Sequence, residues 1–327
     1  MQTVVQDPAR KARVVVLGDL VLDVVVSPEG PLRPGTDVQG RVAFRQGGSA
    51  ATTARWFARL GFETRLVTAV ADDGLGDALV AHLERCGVLM HALRVPADRT
   101  GRLAVLVEDG ERSFVSDRAA IRRLGPRFLR APWFAGVALL HVPGYSLVGE
   151  RLAAASLRAA RLARRAGALV SVDLSSAGFL DTEGSGVILD RVAGLAPDVI
   201  LATRSEAAAA TGHADGEALL ALAPLAVVKA GAAGASAHAR GIPVPVAVPA
   251  PSMRVADPTG AGDAFDAGFL GWLVRAGAGS EPATTAELRQ ALEAGHRAAR
   301  GEISGRRVEF AITGLAETGR RGSTHPG

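Results

Sequence analysis

Apolar runs and amphipathic stretches alternate along nearly the whole chain. Residues 13–17 (Arg-Val-Val-Val-Leu) are continuously apolar after the first position, as expected of a strand buried on both faces. A second apolar run follows at 21–26, interrupted only by Asp23. Residues 64–71, 137–142, 168–172, 198–202 and 225–229 read as further buried strands. Between them lie helical patterns: 49–60, closed by Gly61, a stretch running to Arg85, 150–166, an Ala-rich stretch around Glu206, and 285–300. Two other regions behave differently. Val38, Val42 and Phe44 alternate with polar positions, and 100–108 faces 111–116 across Asp109-Gly110, a strong hairpin signal. Residues 244–248 alternate and contain Pro245, which marks an edge strand. No repeat of roughly 20–50 residues is visible. Strands alternating with helices over the full length predict one α/β domain, residues 13–312, built on a doubly wound, mostly parallel sheet with helices on both faces. The polar ends, 1–12 and 313–327, are expected to be flexible.

Composition narrows the partners. The chain has 327 residues, 48% of them apolar, and a net charge of +4. Lys11 and Lys229 are the only lysines, so nearly every base is an arginine. These arginines are scattered through helices, and Tyr145 is the sole tyrosine. Neither a basic stripe nor a stacking platform for bases results, and nucleic acid is not an expected partner. Cys86 stands alone, which excludes an internal disulfide, fits a reducing compartment and suggests a small buried residue. No apolar run approaches the roughly 18 residues of a membrane span, and the first residues lack the apolar core of a signal peptide. A cytoplasmic protein without membrane contact is expected.

The densest chemistry lies at 257–268, Asp-Pro-Thr-Gly-Ala-Gly-Asp-Ala-Phe-Asp-Ala-Gly, after what reads as a strand end at 253–256. Phe265, Phe269 and Trp272 fall at helical spacing, and Ala264, Gly268 and Gly271 form a small-residue face. Gly260 and Gly262 bracket the helix start. There the missing Cβ atoms let a ligand approach, and free N–H groups with the positive end of the helix dipole favour an anion. Asp263 stands in that first turn. An Asp cap on a Gly-rich turn is the plain structural alternative. A carboxylate beside an anion site makes chemical sense where it takes the proton of a hydroxyl that attacks a phosphate.

Other residues are weaker signals. Asp23 is a carboxylate in an apolar run; it needs partners, and paired hydroxyls suit it as well as a cap or salt bridge does. Gly47-Gly48 opens a helix with backbone N–H groups a polar ligand can reach. Asp72-Asp73 reads as an acidic helix N-terminus rather than a metal site. His141, inside a buried strand, reads as a satisfied core histidine. Asp173 ends a strand on the side where open parallel sheets bind ligands. Glu206, judged by position alone, is an exposed helix residue. The glycine after the first strand lacks a dinucleotide fingerprint, and Lys229 lacks a P-loop pattern.

Two of these stretches carry a resemblance. Residues 257–268 resemble the second signature of the ribokinase-like (PfkB) carbohydrate kinases, Asp-Thr-Thr-Gly-Ala-Gly-Asp-x-Phe-x-x-Gly, departing only at Pro258. Residues 47–54 resemble the first, Gly-Gly-x-x-x-Asn-x-Ala, departing at Thr52, where the family's Asn contacts the sugar. The resemblance covers about 13–305. It implies a ribokinase-like fold in which segments 24–46 and 99–118 form a small β lid over the acceptor, in many members also a homodimer contact. It implies an ATP-dependent kinase of a sugar or sugar-like alcohol. Asp263 would be the general base, and the amides of Gly260, Ala261 and Gly262 would stabilise the transferring phosphoryl group. Asp23, Gly47, Gly48 and Thr52 would position the acceptor, with Arg118 facing substrate or lid. Glu206 would organise the water shell of Mg²⁺, and Thr203 stands where the family has an Asn near the phosphates. Lys229, Gly231 and Gly234 fall at the nucleotide edge, and His296 where relatives border the adenine. Asp257 begins the loop that in several relatives binds K⁺. Two alternatives stay open: a nucleoside kinase of the same family, with Phe44 as an apolar clamp, and a non-catalytic sugar or nucleotide sensor. The two Thr-for-Asn changes point to the sensor; an intact Asp263 does not.

Overall fold

The computed structural model describes residues 11–108, 111–178, 184–253, 257–278 and 284–305. The 109–110 turn, residues 254–256 of the expected strand, and nearly all of both termini lie outside these residues. Among them, two sheets form. In spatial order the larger runs β13 (Ile242–Val248), β12 (Ala235–Ala239), β11 (Leu225–Lys229), β10 (Val199–Thr203), β9 (Leu169–Asp173), β8 (Val137–Pro143), β1 (Arg13–Leu17), β4 (Glu63–Ala71), β5 (Val88–Val95). Its pairings are parallel except those of β12 with β11 and β13. The smaller sheet orders β3 (Gly40–Gly47), β2 (Val21–Pro28), β6 (Arg102–Glu108), β7 (Glu111–Asp117).

The continuous apolar strands are continuous because both faces of the large sheet are covered. Val14 and Val16 face one core with Leu66, Leu201 and Val227, beneath helices α1 (Ser49–Arg59), α2 (Gly74–Arg85), α6 (Ala261–Ala276) and α7 (Thr285–Ser304). Val15 and Leu17 face a second core with Val170, Ile200 and Ala226, beneath α3 (Glu150–Arg165), α4 (Ser185–Leu195) and α5 (Arg204–Thr211). β1 is flanked by β4 on one side and β8 on the other, so the winding reverses there and leaves a crevice beyond the strand ends.

The small-residue face of α6 seats it against its neighbours. A Cβ on Gly268 would lie 2.5 Å from the Ala294 carbonyl oxygen, and one on Gly271 2.9 Å from the Phe62 ring. Phe265 and Phe269 stack with centroids 6.2 Å apart. β13 lies at the edge of the sheet, as its proline suggested. β5 and β12 escape the apolar pattern: β5 is the opposite edge and carries polar positions, and β12 (Ala-Ser-Ala-His-Ala) is built of small residues. Cys86 is a half-buried free thiol. No helix among the described residues is long and apolar enough to cross a membrane.

Candidate active site

A cavity of about 700 Å³ opens between the carboxyl ends of the large sheet, the head of α6 and the small sheet. Asp257-Pro258-Thr259-Gly260 turns the chain into α6, with Gly260 at φ +77°, in the left-handed region. The left-handed backbone favours glycine there, and a Cβ would also crowd the Glu302 carboxylate at 3.2 Å and the Thr52 methyl at 3.3 Å. The Ala261 N–H, expected from sequence to serve the anion site, donates to the Pro258 carbonyl at 3.0 Å and closes the turn instead. For the N–H groups of Gly260, Gly262 and Asp263 there is no protein acceptor among the described residues, and these three residues line the cavity.

Ser49 donates its hydroxyl to Asp263 Oδ1 at 2.5 Å. Ser49 begins α1 directly after Gly48, whose φ of +97° swings the chain into the helix. Nothing in the sequence singled Ser49 out; its place behind a glycine pair was the available signal. Burial pushes the Asp263 carboxyl up to about 8. The Ser49 hydrogen bond opposes that shift, the negative field of Asp173 adds to it, and Lys229 draws it back.

The wall around Gly47 and Gly48 is equally tight. A Cβ on Gly47 would fall 1.8 Å from Asp23 Oδ1, and one on Gly48 2.5 Å from the Asp19 carbonyl. The glycine pair is therefore what lets the buried Asp23 carboxylate and the loop after β1 close on the start of α1. Thr52 is buried and lines the same wall.

Behind Asp263 sits a charged cluster that sequence spacing concealed. Lys229 Nζ lies between Asp173 Oδ1, at 2.8 Å, and the Asp266 carboxylate, at 3.0 and 3.2 Å. Burial alone would lower the lysine, but Asp173, Asp266 and Glu206 more than offset it, so it stays charged. Burial also drives Asp266 well above the usual carboxylate range despite Lys229. Glu206 is buried, not exposed as its position suggested. Its carboxylate turns back to accept the Thr203 N–H at 2.7 Å while Thr203 Oγ1 accepts the Glu206 N–H at 3.3 Å. This reciprocal cap gives Thr203 a structural task where the family carries Asn. Burial, with Asp173 nearby, raises Glu206.

The small sheet forms the facing wall. Arg45 and Arg112, from its two edge strands, both bind Asp257, at 2.6 and 2.7 Å. Val25, Val105 and Phe114 line the cavity, whereas Phe44 does not. Arg118, also in the wall, donates to the Tyr145 carbonyl at 2.6 Å.

Some expected residues lie elsewhere. Gly231, Gly234 and His296 are not in the cavity wall. Gly234 is explained by close packing, since a Cβ would lie 2.2 Å from the Val248 carbonyl. His296 is buried, bonded to that carbonyl at 3.1 Å and edge-on to Phe265 at 5.2 Å. His141 is a core residue sharing Nδ1 with the Ser171 hydroxyl at 2.9 Å, and burial lowers it to about 4. Asp73 caps α2, accepting the Gly76 N–H at 2.7 Å, and no cluster of metal-ligating side chains occurs among the described residues.

Residues 11–307 match the family described as pfkB family carbohydrate kinase. A fructokinase of Klebsiella pneumoniae is 32% identical over 275 residues, covering 80% of this chain and 84% of that protein. The crystal structure of adenosine kinase from Sinorhizobium meliloti superposes with a TM-score of 0.78 at 25% identity, over 92% of this chain and 98% of that one. An E. coli structure described as ribokinase II, in complex with ATP and Mg²⁺, shares the fold with a TM-score of 0.71 at 21% identity, over 87% of this chain and 92% of that one.

Proposed function

The chain belongs to the pfkB family of carbohydrate kinases, and on that premise we propose that it transfers the γ-phosphate of ATP to a hydroxyl of a sugar-like acceptor, with Asp263 as the base. The observation that carries this reading is Asp263 beside the open amides of Gly260, Gly262 and its own N–H, at the positive end of α6. The acceptor hydroxyl gives its proton to the Asp263 carboxylate, its oxygen bonds to γ-phosphorus, the β–γ bridging bond breaks and ADP leaves. An alcohol is too weak an acid to ionise unaided, which is why the base matters. The amides receive the charge that develops on the transferring group, a role made strong by exclusion of water. Asp23, Gly47, Gly48 and Thr52 orient the acceptor.

The residues fit Mg²⁺ in an indirect mode. Glu206 and Asp173 are acidic neighbours in the cavity wall, and with no cluster of three metal-ligating side chains among the described residues they suit an ion held through water and phosphate oxygens. When bound, the ion neutralises phosphate charge. Asp257 fits K⁺ poorly, because both its oxygens are committed to arginines, and we assign it no such role. A second reading, nucleoside phosphorylation, is supported by the apolar strip of Val25, Val105 and Phe114, which takes the place that sequence gave to Phe44. A lid-to-lid homodimer is supported by Val42, Phe44 and Val115, exposed on the face turned away from the cavity, and light scattering would check it.

The test is ADP release with ATP, Mg²⁺ and a panel of sugars and nucleosides. Wild type is expected to turn over, and Asp263→Asn to lose about 10²–10⁴-fold in kcat with little change in acceptor affinity. Normal turnover by Asp263→Asn would remove it as the base; no ADP from wild type would favour the sensor.

A further inference from the structure

We propose that the acceptor carries an anionic group, a carboxylate or a phosphate monoester, held by Arg45 and Arg112 of the lid. The proposal rests on the kinase reading above and narrows its substrate class.

The two arginines come from opposite edges of the small sheet, Arg45 from β3 and Arg112 from β7, yet converge on one carboxylate. Arg45 Nη1 reaches Asp257 Oδ2 at 2.6 Å, and Arg112 Nη2 reaches Oδ1 at 2.7 Å. Two guanidiniums on one carboxylate leave a positive charge uncompensated within that trio. Both side chains are mostly withdrawn from water, 24% and 17% exposed, which makes that surplus costly. The Nε of Arg45 is buried and has no acceptor among the described residues. Arg55, by contrast, has its own carboxylate in Glu302 at 3.1 Å. Arg118 brings a further guanidinium to the same wall.

Position fixes what such a pair would recognise. Arg45 lies directly across from Asp23 in the β2–β3 register, and Asp23 is the carboxylate suited to sugar hydroxyls. The anionic group would therefore bind beside the hydroxyl-binding end, with the attacked hydroxyl reaching away toward Asp263. A neutral hexose leaves this arrangement unused, because Asp23 and the Gly47–Gly48 backbone already suit its hydroxyls. A carboxylate or phosphate offers the coplanar oxygens that guanidinium forks match best. Asp257 demonstrates that the pair grips a carboxylate; the acceptor's anion would share or take that place. The bland alternative is that the pair only ties the lid down.

The experiment measures ADP release for fructose, fructose 6-phosphate, 2-keto-D-gluconate and adenosine, with wild type, Arg45→Met and Arg112→Met. One anionic acceptor is expected to exceed fructose and adenosine by about tenfold or more in kcat/KM, and which one tells phosphate from carboxylate. The two Met variants are expected to raise its KM by about tenfold while kcat falls less than about threefold, because the arginines hold a group remote from the reacting oxygen. Arg112→Lys should recover part of the loss, and serves if the Met variant does not fold. Preference for fructose or adenosine, with KM indifferent to the arginine variants, overturns the proposal and leaves the kinase reading standing. No ADP from any acceptor removes the kinase reading and the proposal with it. Thermal protection by inorganic phosphate gives a check without turnover: wild type is expected to be protected more than the Arg45→Met/Arg112→Met double variant, and equal protection counts against the pair as an anion site.

Discussion

The two walls of the cleft are built on opposite terms. The sheet wall is a cluster of buried charge, Lys229 between Asp173 and Asp266, with Glu206 adding to its field. The other wall is a thin four-stranded sheet with apolar residues turned to the cavity and to solvent alike. Ion pairs to Asp257 tie it to the body, together with the hydrogen bonds of Thr100 to Asp73, at 2.6 and 2.9 Å. A charge exposed by mutation in the first wall finds no water; one in the second does. Damage to the large-sheet wall should therefore appear as lost stability, and damage to the small-sheet wall as lost acceptor binding.

The largest effect that separates the walls is expected from Lys229→Met. It strands two buried carboxylates, and a loss of about 3–5 kcal/mol in urea unfolding is expected. Adding Asp266→Asn should return part of it, because the second change removes one of the stranded charges. Equal destabilisation by single and double variants would show that the cluster is not the coupled unit described. A smaller effect, on binding, is expected from Gly47→Ala. Its methyl would overlap the Asp23 carboxylate, so KM for the acceptor should rise about tenfold or more, equivalent to about 1.4 kcal/mol, while the unfolding midpoint moves little. An unchanged KM would remove Asp23 from the acceptor site.

The smallest effect concerns the seam between the walls, where Ser49 meets Asp263. The proposed base must be ionised to act, and the Asp263 carboxyl is raised to about 8, so kcat/KM should fall tenfold per unit as pH drops below about 8. The Ser49 hydroxyl favours the ionised form, so Ser49→Ala should move that limb to higher pH and lower the rate at neutral pH, with the plateau above the limb nearly kept. A limb that stays in place would mean that Ser49 does not tune the carboxylate.

What sequence revealed and hid follows from the range of each interaction. Strands such as 13–17 were legible because burial on both faces writes an unbroken apolar run. The head of α6 was legible because the glycines, Asp263 and the Phe265–Phe269 pair lie within one short segment. β5 and β12 were not, because an edge position and small side chains erase the pattern. Lys229 read as a residue of the nucleotide edge, and its pairing with Asp173 and Asp266 was hidden because these partners lie 56 and 37 residues away. Glu206 read as exposed because helical position says nothing about a carboxylate folding back onto its own cap. Nothing in the sequence singled out Arg45 or Arg112, because their convergence on Asp257 exists only once the small sheet is assembled.

Strand β13 has a consequence beyond the cleft. It borders the large sheet and carries Pro243 and Pro245 on either side of Val244, which is 70% exposed. Neither proline can donate a backbone hydrogen bond to an incoming chain, so a flank that would otherwise template fibril growth is blunted on its outward side. Replacing both prolines with threonine would leave catalysis alone and remove this guard against self-polymerisation.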